Sequence, residues 1–355
     1  MLVNCGGLRP GDRVLLVHEA ATHGYYDQAI CDAVAAEALD IGLSVVRRGV
    51  AFSAKVTAPP PEIAAEMRRA DLTVFLARMG DQIRFAGAIG DARAVVSYAL
   101  DAPMLASPFG TADYRAFVKL KAAIDATLAG AREIRVTCAN GTDFGGRVDA
   151  VGPAPQDTNT IRFPQLVYTP VPAQGFSGRI AVRGFLVGTG SQYYDPYACR
   201  IDGVLTVVFE GTRRTAIEGL PQDVARAEAH YTMVADRYGI DETYIHSWHG
   251  GIHPGCSYAA PASENFARWT GSAFGNPRLL HFHTCGAYAP GEICLNVLDP
   301  TVRFDGIAVW QRGRFRPDTV PGAAGILDGA PGLRALFDAP AQDCGLGPGG
   351  RLSFD

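Results

Sequence analysis

Along roughly the first 130 residues, apolar runs of strand length alternate with stretches whose apolar positions recur at helical spacing. Asp12–His18 and Leu43–Arg47 read as strands, and Gln28–Leu39 and Pro61–Ala70 as helices, the latter with proline near its start. Asp71–Ala77 is a near-continuous apolar run, the pattern of a strand covered on both faces. Over Thr111–Ala131, Phe117, Leu120, Ile124 and Leu128 fall on one helical stripe. Strands alternating with helices in this way predict an α/β domain with a mostly parallel sheet.

Beyond Arg132 the period shortens. Glu133–Cys138, Gly178–Gly184, Gly203–Phe209 and Arg213–Ile217 read as strands separated by glycine, proline and asparagine, the last two joined by a Glu210-Gly211 turn. One helix interrupts them at Gln222–Tyr238, started by Pro221 and stopped by Gly239. The tail from Pro317 is rich in glycine and proline, with a short apolar patch at Leu333–Phe337. The expected organisation is an α/β domain over residues 1–131, a β-rich α+β domain over 132–316 and a surface-hugging extension over 317–355.

Composition narrows the function classes. With 48% hydrophobic and 19% charged residues, the chain is an ordinary globular protein. Its net charge of −4 is dispersed, its only lysines are Lys55, Lys119 and Lys121, and no basic run marks a nucleic-acid surface. The opening residues lack the basic start and apolar core of a signal peptide, and no apolar run approaches the ~18 residues that span a bilayer. The eight cysteines are scattered without a Cys-x-x-Cys pair, as expected for reduced thiols in a cytoplasmic protein. No glycine-rich phosphate loop follows the early strands, so nucleotide binding lacks its usual signature.

The histidines change the picture most. Five of the eight, His246, His249, His253, His281 and His283, fall between residues 246 and 283. Neutral imidazole is a common metal ligand, and histidines converging from two segments can hold an ion while leaving coordination positions for substrate. The β-rich domain is therefore expected to be metal-binding.

Several segments together resemble the aminopeptidase T-like metalloenzyme family, and within it the 2,5-dihydroxypyridine 5,6-dioxygenase branch. Glu133-Ile134-Arg135-Val136 followed by Gly141-Thr142-Asp143-Phe144 is similar to the strand and turn opening that family's second domain. Gly178–Gly219 resembles the β-meander that comes after it, and Leu295–Gly306 with Ile307-Ala308-Val309 resembles the closing strands. In the dioxygenase branch one histidine comes from a segment ending in Gly-aliphatic-x-Pro, and a His-x-Asp pair comes later in the chain. Here Gly251-Ile252-His253-Pro254 and His281-Phe282-His283 stand in those places.

The resemblance implies a mononuclear site with His281 as ligand and His283 in the aspartate's place. It makes His246 the third ligand if this chain carries one additional residue, with His249 as the rival. The two-metal peptidase branch needs glutamates, and His246-Ser247-Trp248-His249 lacks the one expected there.

The resemblance thus implies Fe(II), with Zn(II) or Mn(II) as alternatives, in an enzyme that oxygenates a hydroxylated aromatic or N-heteroaromatic small molecule. O2 would be co-substrate, His249 and His253 would be acid/base or orienting groups, and Tyr193, Tyr194, Trp248 and Tyr258 would be candidate pocket walls. The resemblance also implies a homodimer. Two other readings stand: a zinc hydrolase of a small amide or cyclic substrate with Glu242 or Glu264 as base, and a binding protein that kept the fold without catalysis.

Overall fold

The structure is a computed structural model of the chain, and residues 1–84, 92–148, 158–286 and 290–351 are described. Strands in chain order are β1 Arg13–Glu19, β2 Ser44–Val50, β3 Leu72–Leu76, β4 Ala94–Ser97, β5 Glu133–Thr137, β6 Asp143–Arg147 and β7 Ile161–Phe163. They continue with β8 Val171–Pro172, β9 Phe176–Val187, β10 Ala198–Glu210, β11 Arg213–Glu218 and β12 Ile245–Gly250. The last are β13 Leu279–Cys285, β14 Glu292–Leu298, β15 Thr301–Phe304, β16 Ile307–Gln311 and β17 Arg314–Phe315.

The first unit is a five-stranded, all-parallel sheet in the order β2-β1-β3-β4-β7. Every residue of β3 is buried, which is why that segment reads as an uninterrupted apolar run. The helix Gln28–Asp40 buries Ile30, Cys31, Val34, Ala35 and Ala38, one stripe at the i, i+4 spacing. The α/β expectation therefore agrees with the structure. The parallel sheet nevertheless takes its last strand from Ile161–Phe163, and the chain from Ala116 to the end of the helix Tyr114–Gly130 clusters with the second unit, so the division in space is not a single cut at residue 131.

The second unit is built on a twelve-stranded sheet with the path β17-β16-β15-β5-β6-β9-β14-β13-β12-β8, while β10 pairs β9 and β11. All its pairings are antiparallel. Side chains alternate between faces along each strand. One face gathers Phe144, Phe176, Trp248 and Phe282, with Phe144 and Phe282 rings 5.2 Å apart at 81° and Phe144 and Phe176 stacked at 5.7 Å. Fully burying such a side chain contributes about 1.5–3 kcal/mol, and these rings bring β6, β9, β12 and β13 together on this face.

The helix Pro221–Tyr238 begins with proline and ends at Gly239, whose φ of 64° is the left-handed conformation a side chain would resist. The C-terminal stretch folds into helices Ala323–Asp328 and Leu333–Asp338, which bury Leu327, Leu333 and Phe337. Among the described residues no helix is long and apolar enough to cross a membrane.

Candidate metal centre

The strands β12, β13 and β14 lie side by side, and their register decides which polar groups meet. His249 pairs with His281 and His281 with Asn296; Ser247 pairs with His283, and His283 with Cys294. Directly paired residues in an antiparallel ladder share a face, so His249, His281, His283, Cys294 and Asn296 line the side of the sheet opposite Trp248 and Phe282. Glu292, two residues before Cys294, falls on the same side by the period of two.

His246 is not brought to this group. Ile245 pairs with Thr284 and Ser247 with His283, so two steps along β12 match one step along β13 and His246 is the extra residue of a bulge. Its Nδ1 lies 2.8 Å from Ser247 Oγ. The third imidazole of the cluster is His249, the rival, and not His246, the residue expected as third ligand.

The three rings form a compact triangle, with centroid separations of 4.4 Å for His249–His281, 5.0 Å for His249–His283 and 4.9 Å for His281–His283. One nitrogen from each lies within 4.8 Å of the other two. His249 and His281 are buried, and His283 is nearly so.

The surroundings fix how the rings present themselves. His249 Nδ1 is 2.9 Å from the Tyr168 carbonyl oxygen, an acceptor, so this nitrogen carries the proton and Nε2 is left with its lone pair. His283 Nδ1 donates in the same way to Glu292 Oε1, which leaves its buried Nε2 with the lone pair. His281 Nε2 sits 2.8 Å from His249 Nε2, and its Nδ1 is buried without a hydrogen-bond partner. Phe274 stacks on the His281 ring at 4.0 Å and 16°. Gly251 permits this cover, because a Cβ there would meet the Asn276 carbonyl oxygen at 2.2 Å and push away the turn that carries Phe274.

These residues fit a metal ion. Burial, and then the neighbouring His249 and His283, hold the His281 pKa well below its usual value, keeping the ring in the neutral form that coordinates. The 2.8 Å gap between two imidazole nitrogens is near the ~3 Å expected for ligands at right angles on one ion with bonds of about 2.1 Å. A second group, His283, Glu292 and Cys294, also has ligand atoms within reach of one another. Burial pushes the Cys294 thiol pKa far up, so its sulfur keeps the proton that metal binding must displace, and the histidine triangle is the better set.

The remaining sequence candidates lie elsewhere. His253, expected as an acid/base group, is buried, stacks on Phe117 at 4.1 Å and 11°, and accepts the Gly255 N–H at 3.2 Å. Burial lowers its pKa to about 3, so it is a packed neutral ring outside the triangle. His249, the other expected acid/base group, is one of the three rings of the triangle. Trp248 faces the apolar side, and Tyr194 is buried with its hydroxyl donating to the Glu292 carbonyl oxygen at 2.8 Å. Glu242 is engaged by Arg214 and Thr232.

Glu292, Cys294 and Asn296 join this face without having stood out in the sequence. The signal was present in Glu292-Ile293-Cys294-Leu295-Asn296, polar or ligating types at every second position of a buried strand. Asn296 is 7% exposed, and neither its Oδ1 nor its Nδ2 has a hydrogen-bond partner within the protein.

No protein-family model matches the sequence, and no curated protein matches it. Among solved structures the chain is similar to the 2,5-dihydroxypyridine dioxygenase of Pseudomonas putida KT2440, with a TM-score of 0.57 and 15% identity over 88% of this chain and 93% of that one. At that identity the likeness establishes the fold, a parallel α/β unit with a large antiparallel sheet, and wider kinship to aminopeptidase T stays a resemblance.

Proposed function

We propose that this protein is a mononuclear non-haem iron(II) enzyme of dioxygenase type, acting on a hydroxylated aromatic or N-heteroaromatic small molecule. The observation that carries the reading is the buried triangle of His249, His281 and His283, set in a fold shared with a dioxygenase. Bound iron would supply adjacent coordination positions for the substrate oxygens and O2, and the electrons that pass between them.

The protein's own groups orient and exclude. The Tyr168 carbonyl and Glu292 hold two rings by their Nδ1 protons, Phe274 covers the third, and the strand backbone keeps all three in place. A zinc hydrolase is less well supported, because it needs a base aimed at a metal-bound water. Glu292 engages Nδ1 of His283, on the ring edge away from the coordinating Nε2, and Glu242 is tied to Arg214 and Thr232.

Asn296 is the group best placed to read the substrate, since it faces the same side as His281 and offers a buried donor and acceptor side by side. Leaving such groups unmatched costs about 1–3 kcal/mol. Asn296→Leu is therefore expected to raise KM about tenfold or more with a smaller change in kcat; an unaltered KM would remove Asn296 from substrate recognition.

Oxygen uptake tests the reading itself. Protein loaded anaerobically with Fe(II) is expected to consume O2 with dihydroxypyridines or dihydroxybenzenes and to bleach the ring absorbance. Oxygen-independent turnover of cyclic amides by the zinc form would replace the dioxygenase with the hydrolase.

A further inference from the structure

Three neutral imidazoles bring no negative charge to a divalent cation, and burying an uncompensated charge is costly. Among the described residues, the two groups able to hold a metal contain a single carboxylate, Glu292. Its side chain is 4% exposed and bonded to Nδ1 of His283. The strand beneath it is pinned, since Glu292 pairs with Cys285 across β13 and its carbonyl accepts the Tyr194 hydroxyl at 2.8 Å.

Resting on the metal-centre reading above, we propose that Glu292 is the positioning residue of this centre. It fixes the tautomer and rotation of His283 so that Nε2 coordinates, and it places the balancing negative charge one ring away from the ion instead of on it. A carboxylate directly on the metal would take up a coordination position. Held behind His283, it makes the imidazole a stronger donor and leaves that position for substrate.

Two substitutions separate geometry from charge. Glu292→Gln keeps an oxygen that accepts the Nδ1 proton but removes the charge, and Glu292→Leu removes both. Affinity for Co(II) and Zn(II), measured by chelator competition, is expected to fall 10–100-fold in the leucine variant and by a smaller factor in the glutamine variant. The Fe(III)/Fe(II) potential should rise in both, because the reduced ion tolerates loss of the negative charge better. A role confined to folding would leave the potential of a folded glutamine variant unmoved.

If the leucine variant does not fold, the glutamine variant alone decides the matter through its affinity and potential. Affinities within twofold of the parent, with an unshifted potential, would overturn the assignment of Glu292 while leaving the histidine centre standing. Failure of the unsubstituted protein to bind Co(II), Zn(II) or Fe(II) would overturn the metal reading and this inference together.

Discussion

Alanine at His281 is expected to strip the protein of bound metal and to lower turnover by more than the 10–100-fold that outer residues of a metal site contribute. His281 is the central ring of the triangle, paired in register with His249 on one side and Asn296 on the other, and its Nε2 faces that of His249 at 2.8 Å. Phe274 covers its face and the strand holds its Cα in register, so the ring is fixed where the other two imidazoles meet it. His249→Ala should behave in the same way. His246→Ala should keep its metal to within about twofold, since the bulge takes His246 out of the cluster. Metal content after gel filtration and melting of the metal-free proteins would check this: metal lost from His246→Ala but kept by His249→Ala would reverse the assignment.

The second large effect is on stability. His230 and His253 are buried and held neutral, with burial lowering their pKa values to about 4 and about 3. In the unfolded chain both titrate near 6.5. Below that pH the unfolded state takes up protons that the folded state refuses, so folding stability is fully present above about 6.5 and declines as pH falls. Each histidine contributes a slope of up to about 1.4 kcal/mol per pH unit. The decline runs down to about 4 for His230 and about 3 for His253.

Urea unfolding between pH 7.5 and 5 would measure the slope in a window where few carboxylates titrate. His230→Leu and His253→Asn, the latter keeping an acceptor for the Gly255 N–H, should each flatten the profile. A parent protein equally stable at pH 7 and pH 5 would contradict the buried-neutral account.

Much of the architecture was legible where one physical rule dominated. Full burial wrote β3 as an apolar run, and a proline and a glycine bracketed the helix Pro221–Tyr238. The fifth parallel strand was not legible, because Ile161–Phe163 is three residues long and carries no period.

The histidine site was legible in part. His281 and His283 stand two apart and so share a face wherever they lie on a strand. Choosing between His246 and His249 required knowing that Ile245–Gly250 is a strand and that a bulge precedes Ser247, and a bulge is a property of pairing that a single segment does not announce. Glu292, Cys294 and Asn296 were hidden differently: their spacing was visible, yet only the pairing of β14 with β13 brings them to the histidines.

One metal ion is expected among His249, His281 and His283. Anomalous scattering at the iron edge, from crystals grown anaerobically with Fe(II), would locate it. The expected result is a single peak about 2.0–2.3 Å from Nε2 of each of these three histidines. A peak at His246, a peak held by Glu292 and Cys294, or no peak in the second unit would contradict it.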